Sequence, residues 1–214
     1  MKRGIKFRYI DLFKMNKIDR DTFVQYDHST SQDFEVEGKI IVANLIKGGG
    51  DYSLKFMIKE NAEVDLRVLI VTDKGNHQKI NIEGTLKESH SKVNLHLIGL
   101  VLRGELNLDG WIFIPQGVQK VEGHLLEENI LLGDKIKVTS LPRLDVRSND
   151  VVASHWAKIE RLDEIKMFYL RSKGLSQKEA QLLLIKGYIE SFLEGLENAQ
   201  EVKEELINYF ENSL

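Results

Sequence analysis

The spacing of apolar residues between residue 34 and about residue 152 most constrains what this chain can fold into. Hydrophobic and polar residues alternate over this stretch, which is the pattern of strands with one buried face. Successive blocks start at Val64, Ile80, Val93 and Leu106, so 16, 13 and 13 residues separate the starts. A crossover helix alone needs about a dozen residues. The spacing therefore excludes a doubly wound α/β sheet and leaves an all-β stack, either a sandwich or a solenoid.

Turn signals divide the alternating blocks. Residues 48–51 and 74–76 contain glycines that permit positive φ, and residues 108–110 predict a further break. The regular spacing and the presence of only two prolines favour a solenoid slightly. The pattern by itself does not decide between the two folds.

The period changes to that of a helix after residue 159. Asp163 predicts the N-cap of a first helix, and Gly174 suits the position just after its end. Ser176 and Glu179 form the pattern of a capping box at the start of a second helix. A third helix is predicted over 199–210. The chain thus divides into an N-terminal basic segment (1–33), a β core (34–160) and a C-terminal helical domain (161–214).

The second predicted helix is apolar around much of its circumference. Its main stripe is expected to be Ala180, Leu183, Leu184, Tyr188 and Phe192. A helix of this kind needs two packing partners. The helices either cover the β stack or present a docking surface to another protein, and the sequence leaves both interpretations open.

Charge is distributed unevenly along the chain. Residues 1–20 carry seven Lys and Arg against two Asp, whereas residues 187–214 carry seven Glu against one Lys. The basic residues are interleaved with aliphatic and aromatic ones, and the chain carries a net charge of −3, which argues against nucleic-acid binding. No apolar run approaches the ~18–20 residues of a membrane span. The start lacks the apolar region of a secretory signal, so a cytoplasmic location is expected.

The absence of cysteine restricts the chemistry available to the chain. With no Cys there is no disulfide, no thiolate nucleophile, no Cys-bound zinc and no iron–sulfur cluster held by thiolates of this chain. The standard nucleotide-binding loops and hydrolase motifs are also missing. The six histidines are scattered, and none of them forms a pair at metal-ligand spacing.

Two segments near the end of the β region carry a specific resemblance. Residues 142–157 read PRLDVRSNDVVASHWA, and residues 167–176 read MFYLRSKGLS. In order and spacing they resemble the C-terminal signature of the SufB/SufD family. The resemblance implies a right-handed parallel β-helix followed by a small helical domain, which decides the fold in favour of the solenoid. It also implies a scaffold or accessory role in iron–sulfur cluster assembly, and not an enzyme.

The resemblance further implies partners. The C-terminal helices would dock the ABC-type ATPase SufC, and the β-helix would dimerise with itself or with a SufB/SufD paralogue through residues 124–155. The expected docking residues are Met167, Phe168, Tyr169, Leu170, Arg171, Ser172, Gly174, Ser176, Glu179 and Leu183. A nascent cluster or iron would be held only transiently at the dimer interface, with no stably bound cofactor.

His155 matches the family histidine at that interface and is the candidate iron ligand. Glu127 stands where the SufB branch has a cysteine, and a carboxylate can still bind a hard iron ion. Trp156 replaces the family glycine next to His155, and its large indole is expected to fill space that would otherwise admit a cluster. His124 lies near Glu127 in sequence, but the odd separation places the two on opposite faces of a regular strand.

The resemblance also implies that the chain is short for its family. A β-helical protein that binds or acts on carbohydrate is the alternative hypothesis. Such sites are typically built from carboxylates and exposed aromatic residues along one face, and aromatic residues are few between 34 and 110.

Overall fold

The computed structural model describes residues 17–197 and 199–214. Most of the predicted basic segment, residues 1–16, lies outside the described residues. The strands are β1 (Lys17–Ile18), β2 (Thr22–Tyr26), β3 (Thr30–Val36), β4 (Lys39–Ile46), β5 (Gly50–Ile58), β6 (Glu63–Thr72), β7 (Asn76–Leu86), β8 (Lys92–Val101), β9 (Gly104–Ile114), β10 (Gln119–Leu131), β11 (Ile136–Ser140), β12 (Arg143–Val146) and β13 (Asp150–Arg161). The helices are α1 (Glu164–Ser172), α2 (Gln177–Leu193) and α3 (Gln200–Ser213).

The strands alternate between two parallel sheets, as a solenoid requires. Sheet A has the order β1-β3-β5-β7-β9-β11, with β12 also paired to β9. Sheet B has the order β13-β10-β8-β6-β4-β2. Every described strand pair is parallel. The predicted β-solenoid followed by C-terminal helices is therefore confirmed.

The inward faces of the two sheets form the main core. Because parallel strands are paired in register, side chains stack in rows along the solenoid. One row runs through Val42, Leu66, Leu95 and Leu125, all of them buried. Burial of each such side chain contributes about 1.5–3 kcal/mol to stability. These stacked rows make the alternating pattern of the sequence the main determinant of the fold.

A second core lies between the outer face of sheet B and the helices. Leu69 and Ile98 on the outer face of the sheet belong to the same buried cluster as Ile189, Phe192 and Phe210 of the helices. The helices thus pack against the side of the solenoid. We refer to this second core as the helix–sheet cluster.

The solenoid begins earlier in the chain than residue 34. The strands β1 and β2 and the first part of β3 lie in residues 17–33, and Val24 and Tyr26 are already buried. Strands of two and five residues contain too few repeats for alternation to be recognised. At the other end of the solenoid, β13 ends at Arg161 and α1 begins at Glu164.

Residues 108–110 do not break a strand, contrary to the prediction. Gly110 lies in the interior of β9, on its inward face. A Cβ at this position would overlap Oε1 of Glu127 and would lie 2.8 Å from Cδ1 of Leu97. The glycine therefore makes room for a buried carboxylate and does not mark a turn.

The buried face of α2 also differs from the predicted stripe. Ala180 and Phe192 are buried as expected, together with Ile185, Ile189 and Leu193. Leu183 is exposed, and Leu184 and Tyr188 are only partly buried. Because the helix is apolar around its circumference, the sequence pattern does not determine which side meets the sheet.

Among the residues that the structure describes, no helix combines the length and the apolarity needed to cross a membrane.

Candidate functional site

Strand β13 is the edge strand of sheet B and carries His155. His155 pairs with Leu125, whose side chain is buried, so His155 lies on the inward face of the sheet. Val151 and Ala153, on the same face, pack partly against the main core. His155 itself is exposed because it lies in the final rung of the described solenoid. The sequence-predicted ligand is therefore accessible.

Trp156 lies on the opposite face of β13. It pairs with Leu126 on the outer face of sheet B and is 64% exposed. It lines an open groove of about 460 Å³ together with His124, Ser154 and the C-terminal end of α2. Because neighbouring strand residues point to opposite faces, the indole does not fill the space around His155. Replacement of the family glycine thus leaves the inward side of His155 open.

Glu127 is fully buried on the inward face of β10. Its Oε1 accepts a hydrogen bond of 2.8 Å from the backbone N–H of Gly110, and its Oε2 accepts a hydrogen bond from the Ser140 hydroxyl. Asn129, two residues further along the strand, donates to Ser140 Oγ at 3.0 Å. Both carboxylate oxygens are therefore already engaged by donors of this chain, so a metal ion would have to replace at least one of these bonds.

Burial raises the pKa of Glu127 to about 7, and the negative charge of Asp109 adds to the rise. The hydrogen bonds from Ser140 and Gly110 favour the charged form and limit the effect. The carboxyl group thus changes its protonation state near neutral pH. Perturbed carboxylates of this kind occur at functional sites and also in structural networks.

His155 and Glu127 lie on the same face of sheet B in neighbouring rows. Leu125 pairs with His155, and Glu127 pairs with Ala157, two residues further along. His124 lies on the outer face, where its Nδ1 is 2.7 Å from Ser154 Oγ. The predicted separation of Glu127 and His124 onto opposite faces is confirmed. Among the described residues no group of three or more His, Asp or Glu side chains is arranged to hold a metal ion.

Helix α1 presents an apolar surface to solvent. Asp163 caps the helix by accepting hydrogen bonds from the backbone N–H groups of Ile165 and Lys166, as predicted. No residue of α1 is buried. Ile165, Phe168 and Tyr169 are 81%, 76% and 59% exposed. Large apolar side chains that remain exposed together occur at protein or membrane interaction sites and in ligand-binding grooves.

The turn from α1 into α2 is rigidly defined. Gly174 has a φ of 97°, a left-handed conformation that suits the residue after a helix end. Ser176 and Glu179 form the predicted capping box, with each side chain bonded to the other residue's backbone N–H. These contacts define the turn between the two helices.

The predicted docking residues share this region but differ in exposure. Ile165 was not among them, although its spacing of three and four residues from Phe168 and Tyr169 is the signal of a helical stripe. Of the predicted residues, Phe168, Tyr169, Arg171, Ser172, Gly174, Ser176, Glu179 and Leu183 are exposed, whereas Met167 and Leu170 are partly buried. We refer to Ile165, Phe168, Tyr169 and Leu183 as the α1–α2 surface.

Comparison with known families identifies the relatives of this chain. The sequence model described as "SUF system FeS cluster assembly, SufBD core domain" matches residues 50–188. The chain belongs to the SufBD family. The matched segment runs from the start of β5 into α2 and includes Glu127, His155 and the α1–α2 surface. The resemblance of residues 142–157 and 167–176 to this family is thereby confirmed.

Several curated SufBD proteins are similar to parts of the chain. The iron–sulfur cluster assembly protein SufD of Escherichia coli is 33% identical over 94 residues, which cover 44% of this chain and 22% of that protein. A SufBD family protein of Methanothermobacter thermautotrophicus is 31% identical over 163 residues, covering 73% and 38%. One from Pyrococcus horikoshii is 28% identical over 149 residues, covering 66% and 32%. The chain thus spans less than half the length of these SufBD relatives.

Proposed function

We propose that this SufBD protein is a scaffold or accessory subunit, not an enzyme, in iron–sulfur cluster assembly. It docks a SufC-type ABC ATPase through the α1–α2 surface and pairs with a second SufB/SufD chain through the last strands of the solenoid. The single observation that carries the proposal is the exposed apolar surface of α1 within the matched family segment. Family membership favours this role over the carbohydrate-binding alternative.

The case for α1 as the docking element is energetic. No residue of this nine-residue helix is fully buried, and Met167 alone is among the side chains that pack partly against the helix–sheet cluster, so the exposed face of α1 gains little from the core of this chain. Yet its cap and its following turn are defined by specific hydrogen bonds, so its apolar stripe is held in place. A partner that buried Phe168 and Ile165 would gain about 1.5–3 kcal/mol for each side chain. An ATPase bound here would use a preformed helix.

The case for pairing through the solenoid rests on its final rung. Among the strands that the structure describes, β13 forms the end of sheet B, so one of its edges carries backbone groups available to another strand. Val152 and Leu141, both near this end, are 59% and 58% exposed. A second chain that covered this end would bury these side chains and extend the sheet. The predicted interface, residues 124–155, includes both residues.

Iron or a nascent cluster is the cargo in this proposal. His155 would serve as the ligand, since it is exposed on the inward face of the final rung. Glu127 would join it only after Ser140 releases the carboxylate. Carboxylate and imidazole suit iron, and any sulfur would have to come from outside this chain.

A pair of charge-matched variants tests the two surfaces separately. Phe168→Asp should weaken binding of a purified SufC-type ATPase by at least about 30-fold in calorimetry, the effect of losing a ~2 kcal/mol interface residue. Val152→Asp should leave that affinity unchanged and should weaken self-association or pairing with a SufB/SufD chain in light scattering. ATPase binding that is unaffected by Phe168→Asp would refute the docking proposal.

A further inference from the structure

A single arginine joins sheet B to the C-terminal end of α2. Arg67 lies on the outer face of β6, and its side chain is largely buried. Its Nη1 donates to three backbone carbonyls, those of Ser191 at 3.2 Å, Phe192 at 3.3 Å and Glu194 at 2.6 Å. Its Nε and Nη2 donate to the carboxylate of Asp65 on the same strand, with Nε at 3.1 Å.

These contacts satisfy a need that α2 does not meet itself. The last carbonyls of a helix lack intrahelical donors, and the helix dipole places partial negative charge there. The last turn of α2 contains no basic residue. Arg67 supplies both the missing donor and the positive charge from the neighbouring sheet. Asp65 holds the guanidinium in the orientation that the carbonyls require.

The contact also differs in kind from the rest of the interface. The helix–sheet cluster holds α2 through apolar side chains such as Ile185 and Ile189. The hydrophobic effect is non-directional and scales with the apolar area buried. A planar guanidinium shared by three carbonyls and one carboxylate fixes a position and an angle. Arg67 therefore determines where the end of α2 lies on the sheet.

The two ends of α2 have different tasks. Its N-terminal end joins the α1–α2 surface through the capping box of Ser176. Its C-terminal end, 17 residues later and roughly 25 Å away, is held by Arg67. A rigid helix that is pushed at one end and fixed at the other acts on whatever fixes it. Here that is β6, which belongs to the same sheet as β13.

We propose that Arg67 is a positioning residue that pins α2 to sheet B and transmits displacement of the docking helices to the solenoid. The role of Arg67 in holding α2 on sheet B concerns the isolated chain. The transmission rests on the proposed function, because it needs an ATPase at the α1–α2 surface.

Hydrogen–deuterium exchange of the full chain tests the pin without any partner. Arg67→Gln should raise exchange of the amides in 190–196 by about tenfold, because the end of α2 is freed while the apolar cluster remains. Arg67→Lys keeps the positive charge but lacks the planar guanidinium with its several N–H donors. It should therefore give an intermediate increase in exchange. Arg161→Gln is the matched control, since Arg161 donates to one loop carbonyl, that of Gly133, and should change exchange in 190–196 less than twofold.

A second arm adds a SufC-type ATPase with a non-hydrolysable ATP analogue. Wild type should show nucleotide-dependent changes in exchange along β13, and Arg67→Gln should lose most of this response while its affinity for the ATPase stays within about threefold. If Arg67→Gln does not fold, exchange is measured on Arg67→Lys instead, both without and with the ATPase.

Three outcomes would count against the proposal. Exchange in 190–196 that stays within about twofold of wild type refutes the pin. If Arg67→Gln raises exchange in 190–196 but leaves the nucleotide-dependent change in exchange along β13 intact, the transmission is refuted. Failure of wild type to bind the ATPase refutes the proposed function and the transmission together. The exchange experiment without the ATPase still tests whether Arg67 holds the end of α2.

Discussion

The buried carboxyl group of Glu127 should make this protein less stable as the pH rises towards 8. The pKa of Glu127 rises from 4.5 to about 7 on folding, so between these values the folded state binds more protons than the unfolded state. Stability therefore falls with increasing pH across this window. The loss of stability caused by ionising the buried carboxyl group is absent below pH 4.5 and complete above pH 7. A difference of about 2.5 pKa units corresponds to about 3 kcal/mol at most.

Glu127→Gln removes the titration and keeps the shape of the side chain. The amide oxygen can still accept from Gly110 N–H, and the amide nitrogen can donate to Ser140 Oγ. Urea denaturation at pH 5 and pH 8 should show the variant gaining about 2–3 kcal/mol relative to wild type between the two pH values. Glu122→Gln, on the outer face of the same strand, is the control and should show no such gain. Equal pH dependence of wild type and Glu127→Gln would refute the account of this buried site.

Three further substitutions test other parts of the structure. Gly110→Ala should lower the free energy of unfolding by about 1–3 kcal/mol in urea denaturation, because the added methyl group overlaps the buried carboxylate; unchanged stability would contradict the close approach. Ser176→Ala should lower the free energy of unfolding by about 1 kcal/mol because the helix cap is lost. Ser172→Ala, on exposed α1, is the control and should change it by less than about 0.5 kcal/mol. Equal effects of the two substitutions would argue against the capping box. His155→Ala should abolish iron binding, measured by anaerobic titration with ferrous iron, and leave the melting temperature nearly unchanged, while His124→Ala on the opposite face still binds iron; binding by both variants would exclude the predicted ligand.

Local patterns predicted much of the fold because each reports a short-range physical requirement. Alternation from residue 34 onward gave the faces of the strands correctly, including the opposite orientations of Glu127 and His124. The Asp163 cap and the Ser176 capping box were predicted because the orphan N–H groups at a helix start need nearby oxygen acceptors. The choice of a solenoid over a sandwich required the family resemblance, because both folds produce the same alternation.

The features that sequence reasoning missed depend on contacts between distant residues. Gly110 resembles a turn residue in sequence, and only its contact with Glu127, 17 residues away, explains why it lies within a strand. The buried side of α2 is set by the outer face of sheet B, which supplies Leu69 and Ile98 as packing partners. Arg67 carried no local signal, since its carbonyl partners lie more than 120 residues later in the chain.

Site-specific photo-crosslinking tests the central claim most directly. A photoreactive residue placed at Phe168, Val152 or His77 samples the α1–α2 surface, the edge strand and the outer face of sheet A. With a SufC-type ATPase and a SufB/SufD partner chain present, we expect the ATPase to crosslink from position 168 and the partner chain from position 152. Position 77 should give neither product. Crosslinking of the ATPase from position 152 or 77, with none from position 168, would contradict the account.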